Sequence, residues 1–197
     1  MRHLASLLAC VLAIACAKKE APPPAQPPAG PAPGTKEWKI ENARSAAPLE
    51  IGKGATVLDV PTSATAAPAQ LAAGTNGWIC FPDDPGTPAN DPACLDKEAM
   101  KFYEAILKHQ PPHLSTTGVV YALKGGMAAS NTDPFKTAPD SGQQWMVVPP
   151  FLVIIAPNPR AAFAGWPTTP AGGGPWVMYA GTPYAHLMVP ASGSGAL

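Results

Sequence analysis

From Leu95 to Lys108 apolar side chains recur at helical spacing: Leu95, Ala99, Phe102, Tyr103, Ile106 and Leu107 share one face, and Lys97, Lys101, Glu104 and Lys108 point away from it. The prolines of "HQPPH", Pro111 and Pro112, stop this helix. Its start is expected at Asp91 as N-cap with Pro92 in the first helical position. Asp96 and Glu98 would then lie near the N-terminus, where negative charge is favourable. A shorter helix is expected from Thr35 to about Ala46, with Trp38 as an anchor and Pro48 as the stop.

Elsewhere the pattern is that of short strands: "ATVLDV", "WICF", "GVVYALKGG", "QWMVV", "FLVIIA", "PWVMYA" and "HLMVP". The run from Phe151 to Ala156 has no polar residue and reads as a strand buried on both faces. "LAAGTNGWICF" reads as two strands joined by the turn "GTNG". "GGMAASNTDPF" reads as a loop in which Asn131 and Asp133 build Asx turns before Pro134. Short strands in series around one good amphipathic helix predict an α+β fold: a single compact domain with a mainly antiparallel sheet. Too few helices alternate with strands for a doubly wound parallel sheet.

The ends of the chain set the organisation. "MRHLASLLACVLAIAC" has Arg2 and His3 ahead of an apolar run from Leu4 to Ala17, 14 residues broken only by Ser6. That is too short to span a bilayer and fits a signal-peptide core. "AIAC" resembles the lipobox of bacterial lipoproteins, in which the thiol of Cys16 would take a diacylglycerol; ordinary secretion is the alternative. "AKKEAPPPAQPPAGPAPG" follows, with seven of the chain's 27 prolines and no bulky apolar residue, a composition that predicts a disordered, extended tether. The expected organisation is signal peptide 1–15, lipidated N-terminus and Pro/Ala-rich linker 16–34, α+β domain 35–190 and flexible tail 191–197. The expected location is extracytoplasmic, lipid-anchored to a bacterial membrane at the outer membrane or cell surface.

Charge narrows the partners. Without residues 1–15 the chain has 12 basic and 13 acidic side chains, a formal charge of −1, and no Lys/Arg cluster with interleaved aromatics. Nucleic acid is therefore not an expected partner. The expected partners are the membrane, through the lipid anchor, and an envelope protein or small ligand.

Candidate chemistry gathers in "CFPDDPGTPANDPAC". With Cys16 lipidated, Cys80 and Cys94 remain, and the simplest state of two thiols in an oxidising compartment is a disulfide; two separately buried thiols are the alternative. Asp83, Asp84, Asp91, Asp96 and Glu98 hold five of the 13 acids. With Asn90 they could supply oxygens to a hard cation, Asp83, Asp84 and Asp91 being the candidates. The spacing departs from the D-x-[DN]-x-[DN]-G loop, and turn building around Pro85 and Gly86 accounts for the same residues.

His109 and His113 are separated by two prolines, so one helix face cannot present both to a metal. His186, beside Tyr184 at the start of an apolar strand, is either a hydrogen-bonded core histidine or a functional one. Tyr184, His186 and Asn131 are the ligand-binding candidates, and His186 with Asp133 the candidate catalytic pair. No G-x-S-x-G elbow or phosphate-binding glycine loop occurs, and no cofactor is implied.

"GTNGWICFPDDPGTPANDPACLDK", "LKGGMAASNTDPF", "VVPPFLVIIAP" and "GGPWVMYAGTPYAHLMVP" resemble, in this order, a family of exported bacterial proteins with no assigned activity. The resemblance runs over roughly Thr56 to Pro190. It implies one coherent exported domain and nothing catalytic. Two functions follow as expectations: a tethered domain binding a ligand or partner in the cell envelope, or a hydrolase using His186 with a nearby carboxylate, metal-assisted or not.

Overall fold

The computed structural model describes residues 30–191 except 62, 64 and 65. The expected signal peptide, Cys16, most of the expected linker and the expected tail beyond residue 191 lie outside the described residues. Four helices and ten strands follow one another in the order α1 (Lys36–Arg44), α2 (Leu49–Gly54), β1 (Thr56–Leu58), β2 (Gln70–Ala72), β3 (Ile79–Phe81), β4 (Ala93–Leu95), α3 (Lys97–Leu107), β5 (Gly118–Ala122), β6 (Gly126–Ala128), β7 (Met146–Val148), β8 (Phe151–Ile155), α4 (Pro159–Ala162), β9 (Trp176–Met178) and β10 (His186–Pro190) among the described residues.

Eight strands form one sheet in the order β2-β1-β3-β4-β5-β8-β10-β9, and β6 pairs with β7 in a separate ribbon. Every pairing is antiparallel except β1 with β3. This is the expected α+β domain with a mostly antiparallel sheet.

The register sorts side chains by face with period two. Cys80, Cys94, Tyr121 and Leu152 stand in one cross-strand row. Their neighbours Phe81, Ala93, Val120 and Val153 point the other way. Over the first face lie α1 and α2, and Ala43, Ala46, Ala55, Val57, Cys80 and Cys94 are each 0 % exposed there. At the far end of that face Val177, Ala185 and Leu187 pack with Ile154 and Phe163. Helix α3 lies over the other face, above the larger core of Phe81, Leu95, Phe102, Val153, Ile155 and Met188.

Two helix starts follow local chemistry. Thr35 caps α1 through a hydrogen bond from the Trp38 amide. Trp38 itself is only half-buried, at the edge of the layer rather than anchored within it. Asp96, not Asp91, caps α3, accepting from the Ala99 amide at 2.8 Å. The expected start at Asp91–Pro92 fails because Ala93–Leu95 is drawn into the sheet between β3 and β5, a non-local ladder outweighing a local helix signal. The second carboxylate oxygen of Asp96 accepts from the Val119 amide at 2.8 Å and ties α3 to β5. Gly118 makes that approach possible: a Cβ there would stand 2.7 Å from the Ala99 nitrogen.

The C-terminus of α3 is also built locally. His109 takes a left-handed backbone, φ 53°. Its amide bonds the Ile106 carbonyl and the Gln110 amide bonds that of Ala105, a Schellman closure.

Three further expectations change. The strands of "LAAGTNGWICF" do not form a hairpin, because β1 sits between β2 and β3. The "GTNG" turn reaches back to α2 instead, with the Thr75 amide on the Gly54 carbonyl and the Asn76 amide group on the Ile51 carbonyl. "GGMAASNTDPF" begins as strand β6 before it becomes a loop. Strand β8 buries Val153 and Ile155 toward α3, while Leu152 and Ile154 on the other face are only half-buried.

Candidate functional site: a cavity between the sheet and helix α3

A solvent-open pocket reaches into the core under α3. A cavity of about 470 Å³ lies between α3 and the sheet, walled mainly by apolar side chains that include Phe81, Leu95, Phe102, Val153, Ile155 and Met188. It is large because the rings of Phe102 and Tyr103 and the methionines Met127, Met178 and Met188 line it rather than fill it. Small-molecule sites have this character: concave, mostly apolar, with few polar groups.

Those polar groups lie at opposite ends. His186 is level with Ile155 and Gly118 in the ladder, whereas Ala93, Ala122 and Phe151 mark the other end of the same strands. Asp91 lies beyond Ala93, with Asp84 and Thr87 beside it on the cavity wall. Four residues separate Phe151 from Ile155, so the two ends are about 13 Å apart along the strands.

At the first end the His186 ring is buried, and its Nδ1 lies 2.9 Å from the Tyr184 carbonyl oxygen. A carbonyl only accepts, so Nδ1 carries the hydrogen. Burial lowers the pKa to about 4, the Tyr184 carbonyl opposing the shift, so the ring is neutral near pH 7. Phe102 and Tyr179 meet it edge-on, with centroids 5.6 and 5.2 Å away. Tyr179 is itself unusual: its φ of 55° is a left-handed conformation for a bulky aromatic, costing on the order of 1 kcal/mol. Burial, with a smaller contribution from the charge of Asp133, pushes its phenol up to about 12.

Asn131 and Tyr184 support this end from behind. The Asn131 carbonyl accepts from the Tyr179 amide, its Nδ2 donates to the Thr168 carbonyl, and its Oδ1 accepts from Trp176 Nε1. Both ends of that amide are thus spent on holding the β9 segment. Tyr184 is buried between Phe102 and Phe135, and its carbonyl orients His186. The rings continue outward, since Phe135 stacks on the exposed His109 at 4.1 Å. Asp133 receives the Phe135 amide, an Asx turn as expected, and makes no hydrogen bond to His186. Exposed His113 lies in the loop after α3.

At the other end the disulfide loop folds onto itself. Cys80 and Cys94 are bonded and face each other in the β3–β4 ladder, Cα atoms 4.0 Å apart. A structural disulfide of this kind belongs to an oxidising, extracytoplasmic compartment. Asp83 accepts from the Asp91 amide, Asp91 from the Asp84 amide and the Thr87 hydroxyl, and Asp84 from the Gly86 amide. Burial, the largest cause, raises the Asp91 pKa. Asn42 of α1 clamps the loop at both ends, accepting from the Asp83 amide at 2.8 Å and donating to Asn90 at 2.7 Å. Glu98 is occupied too: Lys101 and the Ser115 amide bond its two oxygens and hold its pKa low. Among the described residues no group of three or more His, Cys, Asp or Glu side chains is arranged to hold a metal ion.

The structure therefore brings His186 and Tyr184 together, sets Asn131 and Asp133 behind them as scaffold, and separates all four from the acidic loop. Tyr179, Thr87 and Asn42 were not legible as site residues. Only the Gly181 turn close after Tyr179 hints at an unusual backbone there. No family model matches this chain, and no curated protein or solved structure is similar to it. No helix among the described residues is long and apolar enough to cross a membrane.

Proposed function

We propose that this protein is a ligand-binding domain of the cell envelope, tethered to a membrane through Cys16, which takes a small, mostly apolar molecule into the cavity beneath α3. The observation that carries the binding part is the cavity itself. A pocket of about 470 Å³, open to solvent, reaches into the main core and is lined mainly by apolar side chains from strands and helix alike. The disulfide supports the compartment, and the short "AIAC" motif followed by a Pro-rich segment supports the tether. For the hydrolase reading no observation speaks: the only hydrogen bond of the His186 side chain among the described residues goes to a backbone carbonyl.

Titration with N-phenyl-1-naphthylamine, an uncharged apolar fluorophore, tests the binding. One saturable site per chain is the expected result; unsaturable or absent binding to the folded protein removes the reading. For the tether, Cys16→Ser should release the protein from membranes or leave its signal uncleaved. A variant that stays membrane-bound on a processed N-terminus without lipid contradicts it.

A further inference from the structure

His186 has two ring nitrogens, and the fold uses one. Nδ1 donates to the Tyr184 carbonyl, which fixes the tautomer and leaves Nε2 as a bare lone pair. No side chain or backbone group among the described residues donates to Nε2. Buried polar groups are normally partnered, so an open acceptor inside a core calls for an explanation.

The surroundings sharpen it. The residue is only 6 % exposed, and it lines the pocket beneath α3. The open space beside this ring is the cavity, whose wall it forms. Phe102 and Tyr179 press edge-on against the imidazole, so it cannot readily swing away to find another partner. Tyr179 is held there by a left-handed backbone and by its amide bond to Asn131. The neutral state of the ring near pH 7 agrees with an acceptor role.

We infer that the cavity selects an amphipathic ligand carrying a hydroxyl on an apolar body, with that hydroxyl donating its hydrogen bond to His186 Nε2. The class is a fatty alcohol or other hydroxylated hydrocarbon. The apolar body lies along Val153, Ile155 and Met188, and the polar end is read by one acceptor. This inference rests on the cavity being a ligand site.

Calorimetric titration of the intact domain with decan-1-ol and with its isomer 1-methoxynonane separates the two claims. The isomers share composition, but only the alcohol donates. The alcohol should bind about fivefold tighter, the usual worth of one such hydrogen bond, and His186→Phe should abolish the difference while still binding the ether. Equal affinity of the two isomers for the native chain overturns the inference and leaves the cavity reading standing. Failure of both isomers to bind overturns both. A preference that persists in His186→Phe assigns the hydroxyl elsewhere and overturns the role of His186. Should that variant not fold, the ¹⁵N resonance of His186 Nε2 in the native protein decides. It should move on adding the alcohol and stay still with the ether, and identical responses contradict the inference.

Discussion

On one face of the sheet Ala43, Ala46, Ala55, Val57 and the Cys80–Cys94 bridge are wholly covered by two short helices. On the other, Phe81, Phe102, Val153 and Met188 stand around about 470 Å³ of space. The first layer is made of small side chains, a covalent link and the Asn42 clamp, with Arg44 Nε of α1 its one buried side-chain nitrogen or oxygen without a partner among the described residues. The second is made of long and aromatic side chains with an imidazole nitrogen left open. Stability and binding are thus assigned to opposite sides of the same strands. Period-two alternation lets one strand serve both, as Cys80 and Phe81 do in β3.

The largest expected effect lies on the closed face. Cys80→Ala with Cys94→Ala should cost about 3 kcal/mol through the loop the bridge closes, read from urea unfolding. A loss well under 1 kcal/mol would mean that the face is held by packing alone.

The open face should declare itself through pH. The folded-state pKa of His186, about 4, lies below the 6.5 of an unperturbed imidazole. Between these values the unfolded chain holds the extra proton, so stability rises with pH and is lost as pH falls. About 2 kcal/mol should be gone by pH 5, and His186→Phe should flatten that part of the profile. An unchanged slope would place the titrating group elsewhere.

Matched insertions sharpen the contrast further. Ala43→Leu should destabilise by about 1–3 kcal/mol because its layer has no room. Ala93→Leu, on the cavity wall, should be neutral or stabilise by about 0.5–1 kcal/mol. Equal penalties would mean that the two faces are equally packed. The smallest effect concerns the acidic loop, whose carboxylates are already bonded to amides and to Thr87. Added Ca²⁺ or EDTA should leave the thermal midpoint unmoved, whereas a cation site at a hundredfold excess over its Kd would add about 2.7 kcal/mol.

What could be read in advance follows the same physics. The α3 stripe, the short helix beginning near Thr35 and most strands are local patterns, and they stand where the sequence places them. Strand β4 is not local: "DPACLD" carries a helix-start signal, and only pairing with β3 and β5 makes Ala93–Leu95 extended. The place of β1 between β2 and β3 is equally non-local, which is why "GTNG" looks like a hairpin turn and is not one. Cys80 and Cys94 were legible because a thiol pair carries its own chemistry. The cavity was not, since its walls come from residues as far apart as Phe81 and Met188 and draw on every strand from β3 to β10. His186 stood out as a histidine at a strand start, but its open nitrogen depends on the Tyr184 carbonyl turning toward the ring. Tyr179 gave no warning beyond the nearby Gly181, because nothing in a tyrosine announces a positive φ.

The contrast between the faces can be measured directly with xenon, which settles against apolar pocket walls. Crystals of the domain pressurised with xenon should show the gas between α3 and the sheet, against Val153 and Met188, and none in the layer of Ala43, Val57 and the disulfide. Xenon absent from beneath α3, or present equally in both layers, would contradict the division of labour between them.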